Sequence, residues 1–224
     1  MLFINGLNNM NINAKVVDIY HGDNVSSFKE AYVSGIRGII HKATQGVLTH
    51  DPLYAARRAL AKSVNMLWGA YDFNTGDNPK QQVEYFFKVA QPDETTLCAL
   101  DLEDNTHSEM SLTQAREYLE YGDEKLGRTF WLYSGNRIKQ LIVHADSETK
   151  AFFAKHKLWG CEYGPKWKNF DVNGQRLPWD KPTLWQYTDG KLGLTPHGVP
   201  GLQSHMDVNH FDGTDEELAA IWIS

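Results

Sequence analysis

Short runs of β-branched and aromatic residues alternate along the chain with longer amphipathic runs of helical periodicity. The short runs predict eight strands, at residues 16–20, 38–44, 67–73, 96–103, 130–134, 158–163, 183–188 and 206–211. The longer runs predict helices at residues 28–33, 53–64, 79–91, 111–126, 137–143, 148–156 and 215–222.

The order of these elements predicts the fold class. Five strand–helix units are followed by three strands whose connections are rich in Gly and Pro and lack helical periodicity. Alternating strands and helices favour a parallel sheet, and eight such strands can close into a barrel. We therefore expect an α/β fold, a single TIM-like barrel of irregular (β/α)5(β)3 form with eight mainly parallel strands. One domain is expected over 1–224, with an N-terminal extension at 1–14, the barrel at about 15–213 and a C-terminal helix at 214–224.

Two of the predicted helices begin with a recognisable capping signal. Asp51 followed by Pro52 suits an N-cap with Pro in the first turn of the second helix. Ser111 and Gln114 have the spacing of a capping box at the start of the fourth long helix.

Composition and charge exclude several classes of partner. The net charge is -6, with 28 acidic and 22 basic side chains, so we expect no nucleic-acid partner. No apolar run approaches the roughly 18 residues of a membrane span, so we expect no membrane insertion. Residues 1–15 lack a basic stretch followed by an apolar stretch, which predicts synthesis in the cytoplasm without a signal peptide. Cys98 and Cys161 lie in apolar segments and are expected to be buried free thiols.

Four carboxylates fall within or at the end of predicted strands. Asp18 lies in VVDIYHG, Asp101 and Glu103 in LDLED, and Asp207 in MDVNHF. Side chains alternate across a strand, so Asp101 and Glu103 should point to the same side. Because function in a β/α barrel sits at the carboxyl ends of the strands, and because the first and last strands are neighbours, we expect all four acids to converge on one opening.

Such a cluster indicates glycosidase chemistry. Carboxylates that share a site repel one another, so some of them hold protons well above their ordinary pKa. Glycoside hydrolysis needs one carboxyl group that stays protonated and another that stays ionised. Aromatic residues near the predicted strand ends can stack on sugar rings, and Tyr71, Tyr133 and Tyr187 are the strongest candidates. Trp68 and Trp159 are expected to fill the barrel instead.

Seven segments in this order resemble glycoside hydrolase family 25, the Chalaropsis-type lysozymes. They are VVDIYHG, IIHKATQG, GAYDF, LDLED, LWGCEYG, LWQYT and DVNHFDG, and they extend from Val16 to about Gly213. The resemblance implies an N-acetylmuramidase that hydrolyses the β-1,4 bond between N-acetylmuramic acid and N-acetylglucosamine with retention of configuration. Bacterial peptidoglycan would be the substrate, and no cofactor or metal is expected.

The resemblance also implies roles for single residues. Glu103 would be the general acid, and Asp101 its partner, acting as a nucleophile or by steering the substrate's acetamido group. Asp18 and Asp207 would support the pKa values of that pair and bind the sugar. The expected substrate-binding residues are Tyr71, Tyr133, Trp185, Tyr187, Asp72 and Tyr20. This sequence departs from the family pattern at Tyr20-His21, at Gln45 (commonly Glu) and at Asp72 (commonly His).

Other readings of the same residues remain open. A chitinase-like glycosidase also carries a D-x-E motif on its fourth strand, but Leu97, Cys98 and Ala99 replace the Asp and Gly residues expected upstream. A metal-dependent hydrolase would use the four acids with nitrogen ligands from His21, His41 and His210. A non-catalytic glycan-binding protein would be expected to lack Glu103 or Asp101. Under the lysozyme interpretation we expect a monomer that acts on the cell wall after release, as a phage endolysin or a secretion-system effector.

Overall fold

A computed structural model describes residues 12–106 and 108–224, and it confirms the predicted barrel. The strands in this part of the chain are β1 (Ala14–Ile19), β2 (Gly38–Gln45), β3 (Thr49–His50), β4 (Leu67–Phe73), β5 (Thr96–Asp101), β6 (Trp131–Ser134), β7 (Leu158–Cys161), β8 (Leu184–Thr188) and β9 (Asp207–His210). The α-helices are α1 (Phe28–Val33), α2 (Tyr54–Ser63), α3 (Pro79–Ala90), α4 (Leu112–Leu126), α5 (Asn136–Leu141), α6 (Ser147–Phe153) and α7 (Asp215–Trp222). A 3-10 turn, Ile142–His144, follows α5 directly.

Eight of these strands close into a barrel in the order β1-β2-β4-β5-β6-β7-β8-β9, and β9 pairs back with β1. The pairs from β1–β2 round to β7–β8 are parallel. Strand β9 is antiparallel to both of its neighbours, β8 and β1. The extra strand, β3, is a two-residue hairpin partner of β2. Reversing β9 turns the start of that strand, rather than its end, toward the mouth of the barrel.

Alternation along the strands divides the core into two layers. Inside the barrel, Val16, Ile40, Leu97 and Trp131 pack together among fully buried neighbours. Residues of opposite parity point outward and pack beneath the helices; they include Val17, Ile39, Trp68, Leu100 and Leu132. A barrel of this size is filled by side chains and forms no pore.

The C-terminal helix closes the amino end of the barrel. Trp222 at the end of α7 is fully buried, its indole N–H donates to the carbonyl oxygen of Trp68 (2.9 Å), and its ring lies 6.5 Å from that of Trp131. Gly38 at the start of β2 leaves room for this ring, since a Cβ there would lie 2.7 Å from Trp222 Cη2. The helix is therefore part of the barrel core.

The two capping predictions had different outcomes. The capping box between Ser111 and Gln114 is present at the start of α4. The N-cap prediction for Asp51 was wrong: Leu53 is the N-cap of α2 and provides no side-chain cap. Asp51 instead accepts hydrogen bonds from the backbone N–H of Leu53 (2.9 Å) and of His21 (2.7 Å), so it ties the loop after β1 to the start of α2.

Replacing Trp222 by Ala should destabilise the fold by about 3–5 kcal/mol, because a large buried ring leaves a cavity that the barrel cannot close. The measurement is the free energy of unfolding from a denaturant titration followed by circular dichroism. Ile223→Ala is the matched control, since the neighbouring Ile223 is 46% exposed and should change stability little. Equal losses from the two variants would contradict the assignment of Trp222 as the closing side chain.

Candidate active site

A cavity of about 370 Å³ opens at the carboxyl ends of the parallel strands, and we call it the central cavity. All four of the acids singled out in the sequence line it: Asp18, Asp101, Glu103 and Asp207. They come from three strands or strand ends that are far apart in the chain. The structure therefore brings the predicted carboxylates together in one opening.

Backbone geometry explains how these acids meet. Asp18 near the end of β1 is the register partner of Asp207, the first residue of the reversed strand β9. Asp101 is the last residue of β5. Pairing with β6 continues one residue further, since the N–H of Leu102 donates to the carbonyl oxygen of Tyr133 (2.9 Å). Leu102 is buried in the outer layer, so Asp101 and Glu103 both face the cavity.

Three predicted aromatic residues, Tyr20, Tyr71 and Tyr133, also line the central cavity. Tyr20 is 44% exposed at the rim, whereas Tyr133 is buried and lies with its ring centroid 4.4 Å from that of Trp159. Trp159 fills the barrel as expected and also forms part of the cavity wall.

Three other residues expected to bind substrate, Asp72, Trp185 and Tyr187, do not line this cavity. Asp72 points outward and is fully buried, accepting a hydrogen bond from Thr44 Oγ1 (2.6 Å). The indole N–H of Trp185 donates to the carbonyl oxygen of Glu162 (2.9 Å). The hydroxyl of Tyr187 donates to the carbonyl oxygen of Pro196 (3.0 Å). Their neighbours Tyr71 and Gln186 face inward, so alternation turns Asp72, Trp185 and Tyr187 toward the outer layer.

The sequence reading missed four polar side chains of the site. Lys42, Gln186 and Asp189 line the central cavity, and Asn209 contacts Asp18 directly. Three of the four follow from strand parity: Lys42 lies two residues after the inward Ile40, Gln186 two after Leu184, and Asn209 two after Asp207. The inward period of two was therefore the available signal.

Asp18 is held by two amide side chains with defined orientations. The indole N–H of Trp159 donates to Asn209 Oδ1 (2.6 Å), which leaves Asn209 Nδ2 to donate to Asp18 Oδ1 (2.7 Å). Gln186 Nε2 donates to both carboxylate oxygens of Asp18, at 3.1 and 2.9 Å. Burial raises the pKa of Asp18 to about 7, while the hydrogen bonds from Asn209 and Gln186 oppose that rise.

The other three acids also have raised pKa values, because burial penalises the charged form. The pKa of Asp207 rises to about 9, with repulsion from Asp18 adding to the burial effect. Burial and the charge of Glu103 hold the pKa of Asp101 well above its ordinary value. Burial and the charge of Asp104 raise the pKa of Glu103. With pKa values of about 9 and about 7, Asp207 and a fraction of Asp18 therefore carry protons at neutral pH.

Lys42 is the sole cation among the described residues that line the central cavity. Burial lowers its pKa, and Asp101 is the acid whose charge most strongly opposes that effect. Its ammonium group donates to Gln45 Oε1 (2.7 Å) and lies 4.8 Å from the ring centroid of Phe73. Because Gln45 is neutral, it does not compensate the positive charge of Lys42. That charge therefore favours the ionised form of the nearby acids, with a stronger effect on Asp101 than on Glu103.

A second cavity of about 500 Å³ adjoins the first and shares Glu103 and Tyr163 with it. Its wall carries charges of both signs: Asp104, Arg137, Glu162 and Lys168. Cys161 also lines it and is partly exposed, so the prediction of two buried thiols holds for Cys98 alone, while both cysteines are free. Glu103 thus lies between two connected cavities.

The histidines considered as metal ligands lie away from the acids. His21 Nδ1 contacts Asp51 (3.0 Å), buried His41 hydrogen-bonds the carbonyl oxygen of Lys42 (2.7 Å), and His210 accepts from the N–H of Asn13 (2.9 Å). Within the described ranges, no group of three or more His, Cys, Asp or Glu side chains has the arrangement of a metal site. No helix in the described part of the chain is long and apolar enough to span a membrane.

Comparison with protein families gives one match, to the model of glycosyl hydrolases family 25, over residues 17–192. No curated protein matches the chain in sequence. Among solved structures, the chain is similar to a muramidase from Acremonium alcalophilum, with a TM-score of 0.75 and 22% identity over 92% of this chain and 97% of that one.

Two further structures have the same fold. A bacterial lysozyme from Streptomyces coelicolor matches with a TM-score of 0.76 and 21% identity, over 95% of this chain and 98% of that one. A family GH25 lysozyme from Aspergillus fumigatus matches with a TM-score of 0.76 and 20% identity, over 94% of this chain and 99% of that one. At these identities the matches establish a shared barrel architecture.

Replacing Asp207 by Asn should stabilise the protein at neutral pH. The pKa of Asp207 is about 9 in the folded state against an ordinary 3.8, so the folded protein binds this proton more tightly between those values. The unfolding free energy of the wild type therefore falls as pH rises from about 4 to 9. Asn does not ionise, so the unfolding free energy of the variant does not contain this decrease. We expect a melting temperature higher by roughly 2–5 °C at pH 7, with the difference vanishing toward pH 4.

The control for this stability measurement is Asp212→Asn. Asp212 is exposed and paired with Lys181 at 3.0 Å, which lowers its pKa, so the substitution should give no gain at pH 7. A gain for Asp207→Asn that is independent of pH would contradict the electrostatic explanation.

Proposed function

Because the chain belongs to glycosyl hydrolases family 25, we propose that it is a lysozyme that cleaves the β-1,4 bond between N-acetylmuramic acid and N-acetylglucosamine in bacterial peptidoglycan. The observation that carries the proposal is the convergence of Asp18, Asp101, Glu103 and Asp207 in one cavity beside Lys42. Asp18 and Asp101 are buried, and Glu103 and Asp207 are half-buried. Four such acids with one cation cost folding stability, as is expected of a site built for acid catalysis.

Glu103 is the proton donor in this proposal. Burial and the charge of Asp104 raise its pKa, which keeps the carboxyl group protonated closer to neutral pH. It lies at the junction of the two cavities, so a glycan that occupies both places its bridging oxygen beside this carboxyl group. The reacting sugar then lies in the central cavity with Asp101, and the leaving saccharide extends into the second.

Asp101 acts in its ionised form, as the nucleophile or as the carboxylate that orients the substrate's acetamido group. Burial and the charge of Glu103 raise the pKa of Asp101 in the free protein, and the positive charge of Lys42 lowers it. One oxygen of Asp101 is buried and has no hydrogen-bond partner among the described residues. An unpaired buried oxygen is costly, so a substrate N–H or the anomeric carbon is suited to occupy its free side.

The remaining residues of the cavity bind and orient the sugar. Asp18 and Asp207 supply hydrogen-bond acceptors or, when protonated, donors to sugar hydroxyls. Tyr20, Tyr71 and Tyr133 provide flat surfaces with a polar edge, which suits the faces of pyranose rings.

We propose that the enzyme works as a monomer on wall material after release from the cell that makes it, as a phage endolysin or a secretion-system effector. The acidic surface, with a net charge of -6, provides no general attraction to an anionic wall. Attraction to the glycan must therefore come from local contacts in the two cavities.

Replacing Glu103 by Gln should lower kcat by roughly 10²- to 10⁴-fold, because the amide cannot donate the proton to the leaving oxygen. Glu109→Gln is the matched control, since Glu109 is exposed and paired with Arg137, and it should retain wild-type turnover. Digestion of purified peptidoglycan, followed by reduction and mass spectrometry, measures both rate and product. Muramitol at the new reducing ends supports the proposal, whereas reduced glucosamine ends would show a glucosaminidase. Near wild-type turnover by Glu103→Gln would remove Glu103 from the role of donor.

Replacing Lys42 by Met should move the acidic limb of the pH–rate profile upward by about one pH unit. The cation lowers the pKa of Asp101, so without it Asp101 stays protonated to higher pH and the active ionisation state is reached later. The measurement is kcat/KM on soluble peptidoglycan fragments across the pH range. Lys168→Met, on the wall of the second cavity and paired with Glu162, should leave that limb in place. An unmoved limb in Lys42→Met would mean that Lys42 does not set the charge on Asp101.

A further inference from the structure

The turn that follows β1, residues 20–23, holds a tyrosine ring at the rim of the central cavity. Tyr20 lines this cavity and is 44% exposed. Its ring lies against the backbone of Gly22, since a Cβ there would lie 2.7 Å from Tyr20 Cε2. The ring of His21 meets the Tyr20 ring edge-on, with the centroids 5.1 Å apart. The Tyr20 ring is therefore supported by its own turn although nearly half of the residue is exposed.

A buried arginine on α2 fixes the position of this turn. Arg57 Nη1 donates to the carbonyl oxygen of Tyr20 (2.7 Å), and Arg57 Nη2 donates to the carbonyl oxygen of Asp23 (2.6 Å). Arg57 is 8% exposed. A guanidinium group is costly to bury unless its N–H groups are paired, and here it pairs with the first and last residues of the turn. The turn is therefore anchored to α2 at both of its ends.

Two carboxylates add further hydrogen bonds to the turn. Asp23 Oδ2 accepts from the N–H of Tyr20 (2.7 Å), and Asp23 Oδ1 accepts from Gln203 Nε2 (2.7 Å) in the loop between β8 and β9. Asp51, just before α2, accepts from the N–H of His21 (2.7 Å). The turn is thus tied to two neighbouring segments, and the Tyr20 ring is held in place before any ligand arrives.

Tyr20 lies across the barrel from the second cavity. Three strands separate β1 from β6 in either direction round the barrel. The second cavity is lined by residues that follow β5, β6 and β7, with residues 135–137 directly after β6. If the leaving saccharide occupies the second cavity, the glycan on the other side of the reacting sugar crosses the opposite rim, where Tyr20 stands.

We propose that Tyr20 forms a binding subsite for the sugar that precedes the reacting N-acetylmuramic acid, and that Arg57 positions this subsite. In peptidoglycan that sugar is an N-acetylglucosamine. The inference rests on the proposed function, because the position of the leaving saccharide sets the direction of the glycan. A flat ring with a polar edge suits the face of a pyranose, and a ring that is already held loses little conformational entropy on binding.

The test compares two substrates that differ only in this sugar. One is the tetrasaccharide GlcNAc–MurNAc–GlcNAc–MurNAc, and the other is the trisaccharide MurNAc–GlcNAc–MurNAc. Each contains one bond from N-acetylmuramic acid to N-acetylglucosamine, and mass spectrometry of the products gives kcat and KM. The wild type should prefer the tetrasaccharide by roughly three- to tenfold in kcat/KM, mainly through a lower KM, because the additional sugar stacks on Tyr20.

Two variants remove or displace the ring itself. Tyr20→Ala should bring the ratio of the two kcat/KM values close to equality. Gly22→Ala should also lower the ratio, because the added methyl group displaces the Tyr20 ring. The φ angle of Gly22 lies outside the left-handed region, so the backbone accepts Ala there. Tyr85→Ala is the matched control: Tyr85 is a partly exposed tyrosine on α3 that does not line the central cavity, and its loss should leave the ratio unchanged.

Two further variants test the positioning role of Arg57. Arg57→Met removes both hydrogen bonds to the turn and should lower the preference for the tetrasaccharide. Arg57→Lys keeps a single donor and should retain part of that preference. An equal loss of kcat/KM on both substrates in Arg57→Met would show a structural role and overturn the assignment of Arg57 as a positioning residue.

The remaining outcomes separate the subsite from the proposed function. Equal kcat/KM of the wild type on the two substrates, or an unchanged ratio in Tyr20→Ala, would overturn the subsite and leave the proposed function standing. If Arg57→Met does not fold, Gly22→Ala still tests the position of the ring, because it leaves Arg57 in place. Failure of the wild-type protein to release products with muramitol ends from peptidoglycan would refute the proposed function itself.

Discussion

The full burial of Asp18 and Asp101, and the partial burial of Glu103 and Asp207, at the mouth of the barrel is the constraint on which the rest of the site depends. Burial disfavours the charged form of each acid, and mutual repulsion adds to that effect at Asp207 and Asp101. Hydrogen bonds from Asn209 and Gln186 partly offset the effect of burial on the pKa of Asp18. The positive charge of Lys42 does the same for Asp101. The site is therefore stable only with some protons retained. A retained proton is also what an acid catalyst of glycoside hydrolysis needs.

The barrel makes this concentration of charge possible by placing the stabilising interactions elsewhere. Large rings fill the interior below the acids, and α7 closes the opposite end with Trp222. The outer layer packs most of the helices against the outward parity of the strands. Because the hydrophobic core lies below and around the mouth of the barrel, the mouth can carry polar groups. Their arrangement serves catalysis and lowers the stability of the fold.

Most of the fold was predictable because its signals are local. The strand at Leu67–Phe73 and the helices at Phe28–Val33 and Asp215–Trp222 have the predicted bounds. The other bounds differ by a few residues at their ends, and the largest difference is at the end of α6, which was predicted to reach residue 156 and ends at Phe153. Asp72 and Trp185, expected near the sugar from the resemblance, and Tyr187, expected there from its place near a strand end, lie on the outward parity of their strands and do not line the central cavity. Lys42 and Gln186 have the inward parity, but neither is an acid or an aromatic residue, the two residue types that indicate glycosidase chemistry in a sequence.

The sequence by itself determined the order of elements, the acidic motifs and the inward direction shared by Asp101 and Glu103, because strand alternation and helical periodicity are properties of neighbouring residues. The tertiary structure alone decided that β9 runs antiparallel, which turns its first residue, Asp207, to the mouth beside Asp18. It also decided which hydrogen-bonding group Gln186 presents to Tyr133, since that depends on Asp18, Asn209 and Trp159 from three other strands. Strand direction and amide orientation are set by contacts between distant segments, and no local pattern encodes them.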